Sequence, residues 1–423
     1  MSTNAMDAAS ERLPEARLLR DALREAAGVD AGELQLVSRE PLGTGSIAGF
    51  RTFEWPQAAA AGATGTPGAA STPSSPAAPT REVVYYVDTS GTPVPHETGL
   101  ALGDPDRPDA RIWLHPADPH LPALAPAAFG EAASTLLARI GLHSTALPEL
   151  VAYRPGRRAV LRAPHTQGTA WVKIVRPSRV ERIAGIHGTL RAHGLPTPEV
   201  LAWSPEGLLV LGAAHGAPAD ARDAPPPAAL IDAIDALRTR LAAAPLGVPA
   251  RASLSAQQHW YANRLADSLA GSAPAQALAR DVAARARDAL EAAPFAEGGA
   301  GVTVHGDLHL GQIFLGPDGA VTGLIDLDTA GRGDPADDSA AFLAHALASV
   351  AMAQEGAGSA GPDAARWAAI AAEASARWMP QTSRMRPLTA IHPLAHALGA
   401  SEAGMHARAT RLIESAARVL HEA

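Results

Sequence analysis

The stretch Val304-His305-Gly306-Asp307-Leu308-His309-Leu310-Gly311-Gln312 sets a carboxylate and, five residues later, a carboxamide on one short piece of chain. A second stretch, "GLIDLDTAGRGDPADDSA" from Gly323, adds Asp326, Asp328, Asp334, Asp337 and Asp338. Between them runs "IFLGPDGAVTGLI", where Pro317-Asp318-Gly319 is strong turn chemistry with apolar residues on both sides. A hairpin there brings Gln312 and Asp326 to one open end, with Asp307 just upstream. Carboxylate and amide oxygens are the hard ligands that Mg²⁺ takes, together with waters and phosphate oxygens. Phosphoryl transfer also needs a separate carboxylate that orients the attacking hydroxyl and accepts its proton. Position divides the roles: Asp307 as base, Gln312 and Asp326 as metal ligands. Asp307 and Asp326 each follow apolar strand-type residues, where an uncompensated charge is costly, so a merely solvated acidic hairpin fits poorly.

The other acidic residues read differently. Asp334 before Pro335 has the form of a helix N-cap with proline at the first helical position. Asp337 and Asp338 then fall in a first helical turn, where the helix dipole favours carboxylates. Asp328 is open between a second metal, a basic substrate group and a loop cap. His309 is read as a loop histidine bonded to backbone, with substrate contact as the alternative.

A cationic partner for phosphate stands out by composition. The chain has 34 arginines and a single lysine, Lys173, in "TAWVKIVRP". A compact ammonium is a point charge that a broad guanidinium does not replace, so a lone lysine in an arginine-biased chain draws attention. The alternating pattern around it predicts a strand.

The elements that must position these residues follow from periodicity. Residues 11–27 predict an amphipathic helix. "ELQLVSR", "GFRTFEW", "REVVYYVD" and "RIWLHP" predict a small antiparallel sheet. Residues 57–80, dominated by Ala, Gly, Pro, Ser and Thr, predict a disordered insertion within it. The Gly-rich "PLGTGSIAGF" predicts a tight turn in this module, because it lacks a following helix and lies far from Lys173. Beyond it come a helix over 126–141, the strands "VAYRPGRRAVLRA" and "GTAWVKIVR", a helix over 178–193 ended by Gly194, and a hairpin turning at Ser204–Gly207. Three helical segments span Pro225 to Ala293, and the chain from Pro335 onward is mostly helical.

The expected fold is α+β: a bilobal, protein-kinase-like order with an N-terminal α+β cap module over 1–125, an N-lobe over 126–214 and a mostly helical C-lobe over 215–423. Length and a hydrophobic content of 47% allow this. The formal charge of −8 and the absence of a basic run argue against nucleic acid. No apolar stretch reaches bilayer length, and no signal-peptide core opens the chain. With no cysteine, disulfides, thiolate metal sites and a Cys nucleophile are excluded, and a cytoplasmic location is expected.

The run His305-Gly306-Asp307, Gln312, Ile325-Asp326, Gly333-Asp334-Pro335 resembles the aminoglycoside phosphotransferase and choline kinase-like superfamily. The form "HGDLHLGQ", with Gln where most members carry Asn, is similar to actinobacterial maltokinases and amino-sugar kinases. The specific match covers residues 303–347. The resemblance implies that Asp307 is the catalytic base, that Asp326 and Gln312 bind Mg²⁺, and that His305 and Asp338 brace the loop. It further implies that ATP is the donor, that Lys173 holds its α- and β-phosphates, and that Glu181 orients the lysine. Arg157 or Arg158 in "YRPGRR" is then open between a contact to phosphate oxygens and a solvated basic hairpin tip, and the backbone of Leu211, Gly212, Ala213 and Ala214 is expected at the adenine. The expected partner is a small hydroxyl-bearing molecule: a sugar, amino sugar or aminoglycoside. A nucleotide-binding pseudokinase is the alternative. A protein kinase does not fit, because "GDPADDSA" follows Asp326 within eight residues and leaves no peptide-docking segment.

Overall fold

The computed structural model describes residues 13–27, 32–54, 81–104, 107–221, 224–251, 254–269, 271–295, 301–356 and 362–421. The insertion expected over 57–80 lies outside the described residues. The chain divides into two compact units, one of residues 1–181 with 200–212 and one of 182–199 with 213–423.

The first unit holds helix α1 (Pro14–Ala27), strands β1 (Gln35–Leu42), β2 (Gly45–Glu54), β3 (Arg81–Asp88), β4 (Leu100–Asp104) and β5 (Arg107–Leu114), short helices α2 (Leu124–Ala128) and α3 (Gly130–Ala138), and strands β6 (Glu149–Arg154), β7 (Arg158–His165) and β8 (Gly168–Val175). Helix α4 (Pro177–Ala192) crosses the unit boundary, and the chain returns to the first unit for β9 (Val200–Ser204) and β10 (Leu208–Gly212). The first sheet is antiparallel with order β1-β2-β3-β5-β4. Leu19 of α1 packs with Ala48, Phe50 and Val87 of its strands, which is the apolar stripe that the 3.6-residue period of 11–27 requires. β4, "LALGD", was not expected; it is short, has no β-branched residue and carries Gly103 at φ 90°, so it lacks a strand pattern. The run over 126–141 is two helices rather than one, because Phe129 between them is extended, with φ −82° and ψ 121°.

"PLGTGSIAGF" forms the β1–β2 hairpin, with Gly43 at φ 52° in its turn, as read from the sequence. The second sheet has order β6-β7-β8-β10-β9, so β8 with Lys173 is its central strand. The β9–β10 turn closes at Ser204–Gly207, where Gly207 N–H donates to the Ser204 carbonyl at 3.1 Å. Gly207 has φ 91°, and a Cβ there would lie 2.0 Å from the Val175 carbonyl, so only glycine fits.

A buried polar knot in this unit holds the β6–β7 turn. Asp118 accepts hydrogen bonds from the Gly156 N–H at 2.7 Å, the His120 N–H at 2.9 Å and the Tyr153 hydroxyl at 2.9 Å. His120 Nε2 lies 2.8 Å from Asp88 at the end of β3. Burial pushes Asp118 up despite these donors, whereas Asp88, buried too, is held below the usual range by His120 and Ser90.

The second unit carries β11 (Ala217–Pro218), helices α5 (Pro227–Ala243), α6 (Leu254–Ser268) and α7 (Ala273–Ala292), strands β12 (Val302–Val304), β13 (Ile313–Leu315), β14 (Val321–Leu324) and β15 (Gly331–Gly333), and helices α8 (Ala336–Gly356), α9 (Pro362–Trp378), α10 (Met385–Glu402) and α11 (His406–His421). One core joins α5, α8 and α9 beneath β13 and β14, with Trp378 fully buried and its Nε1–H donating to Asp235 at 2.9 Å. Packing is thus the role of Trp378. A second core joins α6, α7, α10 and α11.

Replacing Asp118 by Ala strips three donors of their acceptor, two of them buried backbone groups. We expect a loss of about 2–4 kcal/mol of stability, read as a lower denaturant midpoint by circular dichroism.

Candidate active site

The loop after β12 is built around two backbone N–H groups. His305 N–H and Gly306 N–H each donate to the Asp338 carboxylate, at 2.8 Å to Oδ2 and 2.8 Å to Oδ1. Asp338 sits in the first turn of α8 and is 3% exposed, so the grip is dry. Gly306 has φ 82°, and an added Cβ would meet the Thr329 carbonyl at 2.9 Å. From this turn Asp307 emerges, 46% exposed at its side chain. The His305 ring closes the far side, with Nε2 2.9 Å from the Ile325 carbonyl, while Thr329 Oγ1 donates to the His305 carbonyl at 2.8 Å. The bracing expected of His305 and Asp338 is what these bonds do.

The predicted hairpin is present. Ile313 faces Leu324 in the β13–β14 register, and Ile325 N–H donates to the Gln312 carbonyl at 3.0 Å. Gln312 therefore lies opposite Ile325, and Asp326 follows at once. Asp326 has φ 59° and ψ 51°, the single non-glycine residue at positive φ among the described residues. A left-handed aspartate costs of order 1–3 kcal/mol and persists only where the surroundings enforce it, as functional sites do. Gln312 is 3% exposed and its Oε1 accepts the His309 N–H at 3.1 Å, closing the turn before β13. An amide oxygen has two lone pairs, so this bond leaves one acceptor position on Gln312.

Around the turn, Arg182 in α4 donates to the carbonyls of Asp328 at 2.9 Å and Ala330 at 2.8 Å, which holds the segment after Asp326. Asp334 Oδ1 accepts the Ala336 N–H at 2.9 Å and Oδ2 receives Arg384 at 2.6 Å, so Asp334 caps α8 as its sequence suggests. Asp337 departs from the dipole expectation: burial, reinforced by Asp334 and Asp338, pushes its carboxyl up to about 7.

Four histidines gather on the same side as Asp307. His345 in α8 places Nε2 3.6 Å from Asp307 Oδ1. Its ring lies tilted against His309 at 4.4 Å and meets His396 of α10 edge-on at 4.5 Å. Burial lowers His309 to about 4, His392 to about 3 and His396 to about 4, so these three are neutral near pH 7. Burial alone would raise Asp307; the His345 contact holds it below the usual range. Asp307 and Asp326 both act on His309 electrostatically, which ties the loop and the hairpin end into one field. His309 Nδ1 accepts the Gly311 N–H at 3.2 Å, the backbone bond expected of it. His345, His392 and His396 were missed in the sequence. Their signal was faint: polar rings inside apolar helical runs, with the last two spaced i, i+4.

The structure thus brings Asp307, Gln312 and Asp326 together in the second unit. The residues expected at the nucleotide lie elsewhere in the chain. Lys173, 7% exposed, is on β8 between Val160 and Leu209. Glu181 is exposed on α4, Arg158 opens β7, and Leu211 and Gly212 end β10. Ala213 and Ala214 begin the second stretch of the second unit. Arg157 donates to the Pro41 carbonyl and lies 3.5 Å from Glu40, so its guanidinium is engaged by the β1 strand.

A family model decides the assignment. The phosphotransferase enzyme family, APH, matches residues 152–378, more than half of the chain. The chain belongs to this family. It is a small-molecule kinase of the kinase-like α+β fold, as its motifs implied. Among curated proteins nothing matches. Solved structures that resemble it include the aminoglycoside phosphotransferase APH(3'')-Id from Streptomyces rimosus, 25% identical, covering 62% of this chain and 97% of that one with a TM-score of 0.43. Another is the macrolide 2'-phosphotransferase MphH from Brachybacterium faecium, 22% identical, covering 69% and 99% with a TM-score of 0.38. A third is a thermostable mutant of the aminoglycoside phosphotransferase APH(4)-Ia in a ternary complex with ADP and hygromycin B, 15% identical, covering 68% and 96% with a TM-score of 0.48. Among the described residues no helix is long and apolar enough to cross a membrane.

Two adjacent aspartates of this APH-family loop support, both pushed up by burial, should respond oppositely to amidation, because Asp338 serves two backbone N–H groups. Asp338→Asn leaves one loop N–H without an acceptor and should cost about 2–3 kcal/mol. Asp337 binds its proton more tightly folded than unfolded, so folded-state stability falls as pH rises from about 4 to about 7. Asp337→Asn should therefore raise the melting temperature at pH 8 and leave it nearly unchanged below pH 4, measured by thermal melts across pH.

Proposed function

We propose that this APH-family enzyme transfers the γ-phosphate of ATP, with Mg²⁺, to a hydroxyl of a small polar molecule of the sugar, amino-sugar or aminoglycoside class. The observation that carries this reading is the left-handed Asp326 at the hairpin end beside Gln312, facing the same loop system that presents Asp307. The donor set fits Mg²⁺: a carboxylate of Asp326 and the second lone pair of Gln312 Oε1 are hard oxygens. When bound, Mg²⁺ supplies charge neutralisation at the phosphate oxygens.

The chain's own residues do the rest. Asp307, solvent-accessible and held ionised, orients the acceptor hydroxyl. As the new O–P bond forms and the bond from phosphorus to the ADP oxygen breaks, the hydroxyl proton passes to the Asp307 carboxylate. Lys173, alone among basic residues in being a compact ammonium, holds the α- and β-phosphates, with Glu181 orienting the lysine, Arg158 as a further phosphate contact and the backbone of 211–214 at the adenine. With Arg157 bound to β1, its phosphate role is the weakest of these. His309, His392 and His396 are neutral and leave the field of Asp307, Asp326 and Asp328 negative, which favours an acceptor bearing an amine.

Phosphate transfer from ATP and Mg²⁺, scored over a panel of sugars, amino sugars, aminoglycosides and amino alcohols, tests the reading. Asp307→Asn should lower kcat by about 10²–10⁴-fold on the accepted substrate; equal turnover of mutant and wild type across the panel would leave a nucleotide-binding module without transfer. Gln312→Ala should raise the Mg²⁺ concentration needed for half-maximal rate, whereas Gln312→Asn keeps the amide oxygen and should retain part of the activity. Wild-type Mg²⁺ dependence in both variants removes Gln312 from the metal.

A further inference from the structure

Asp307 is not left to solvent on all sides. One of its oxygens, Oδ1, faces His345 Nε2 at 3.6 Å, an ion-pair distance that a small side-chain rotation closes to a hydrogen bond. His345 is itself held. The His309 ring lies against one side at 4.4 Å with planes 31° apart, and the His396 ring meets it at 4.5 Å with planes 80° apart. These contacts come from separate elements, the loop and α10, so the imidazole on α8 has little freedom to rotate. His309 is in turn locked by the Gly311 N–H on its Nδ1. The groups facing His345 are thus Asp307 and His309 from the loop and His396 from α10, with His392 buried behind. A carboxylate on a short side chain, half-exposed, otherwise has two-fold rotational freedom about its last bond. A fixed donor on one oxygen removes that freedom.

We infer that His345 is a positioning residue of the reaction, holding Asp307 Oδ1 so that Oδ2 points to the acceptor hydroxyl. This rests on the reading of Asp307 as the proton acceptor. The histidine cluster is then a rigid support for the base: His309 and His396 orient His345, and His345 orients Asp307. Preorganisation of this kind acts on the reacting geometry and leaves ground-state binding of the acceptor largely untouched.

A double-mutant cycle with steady-state kinetics on the wild-type acceptor, in the full-length protein, tests it. His345→Phe keeps the ring contacts and removes the donor; kcat should fall about ten- to a hundredfold with the acceptor KM within about threefold. His345→Gln retains an N–H donor and should recover part of kcat. In the Asp307→Asn background, His345→Phe should cause no further loss, because its effect runs through the carboxylate. His345→Asn, whose amide is too short to reach Oδ1, is the second variant should the Phe variant melt below the assay temperature, and it should follow the same pattern. Wild-type kcat in His345→Phe or His345→Asn, or losses that add in the Asp307→Asn background, would overturn the inference. Undiminished turnover by Asp307→Asn alone would instead overturn the reading of Asp307, and the two failures are told apart by that single mutant.

Discussion

The loop that presents Asp307 depends on one buried carboxylate. Asp338 accepts the consecutive N–H groups of His305 and Gly306, and Gly306 takes positive φ in the turn that leads on to Asp307. Charge-assisted bonds from two backbone donors are strong, and a buried carboxylate without them would be costly. That requirement fixes the start of α8 against the end of β12. It also explains the chain of aspartates after Gly333: Asp334 caps the helix, Asp338 one turn on holds the loop, and Asp337 between them lies in a field its neighbours make unfavourable.

A second constraint follows from the first. With the loop fixed, the His305 ring reaches the Ile325 carbonyl and Thr329 reaches back to the His305 carbonyl. The β13–β14 hairpin is thus tied to the loop at its open end as well as by its own register. Asp326 sits where these ties converge, in a backbone conformation that a free turn would relax. The strain is local, and the bonds that maintain it come from residues near in space and 20 or more apart in sequence.

In the first unit the same logic operates with a different end. The β6–β7 turn of an APH-family sheet is the place where a phosphate contact is expected, yet Gly156 N–H is taken by Asp118 and Arg157 by Glu40 and Pro41. The N-terminal sheet and the second sheet share these bonds, and a Cβ on Gly156 would strike Ile47 at 2.5 Å. The turn is therefore a packed joint, and its arginine serves the joint.

Much of this was legible in the residues. Local signals carried the Pro317–Gly319 hairpin, the pairing of Gln312 with the residue before Asp326, the Asp334 cap and the Lys173 strand, because turn chemistry, capping and alternation act over a few residues. The sequence by itself therefore determined which acidic groups share the loop and the hairpin end, and the family the chain belongs to. Tertiary structure alone decided the rest: the left-handed backbone of Asp326, the engagement of Arg157 and the histidine wall behind Asp307. His309, His345, His392 and His396 lie on three elements, and a lone histidine in an apolar helix carries no mark of what it will face. Burial sets the charge of His309, His392 and His396, and proximity sets the partners of all four; both arise only when the helices pack.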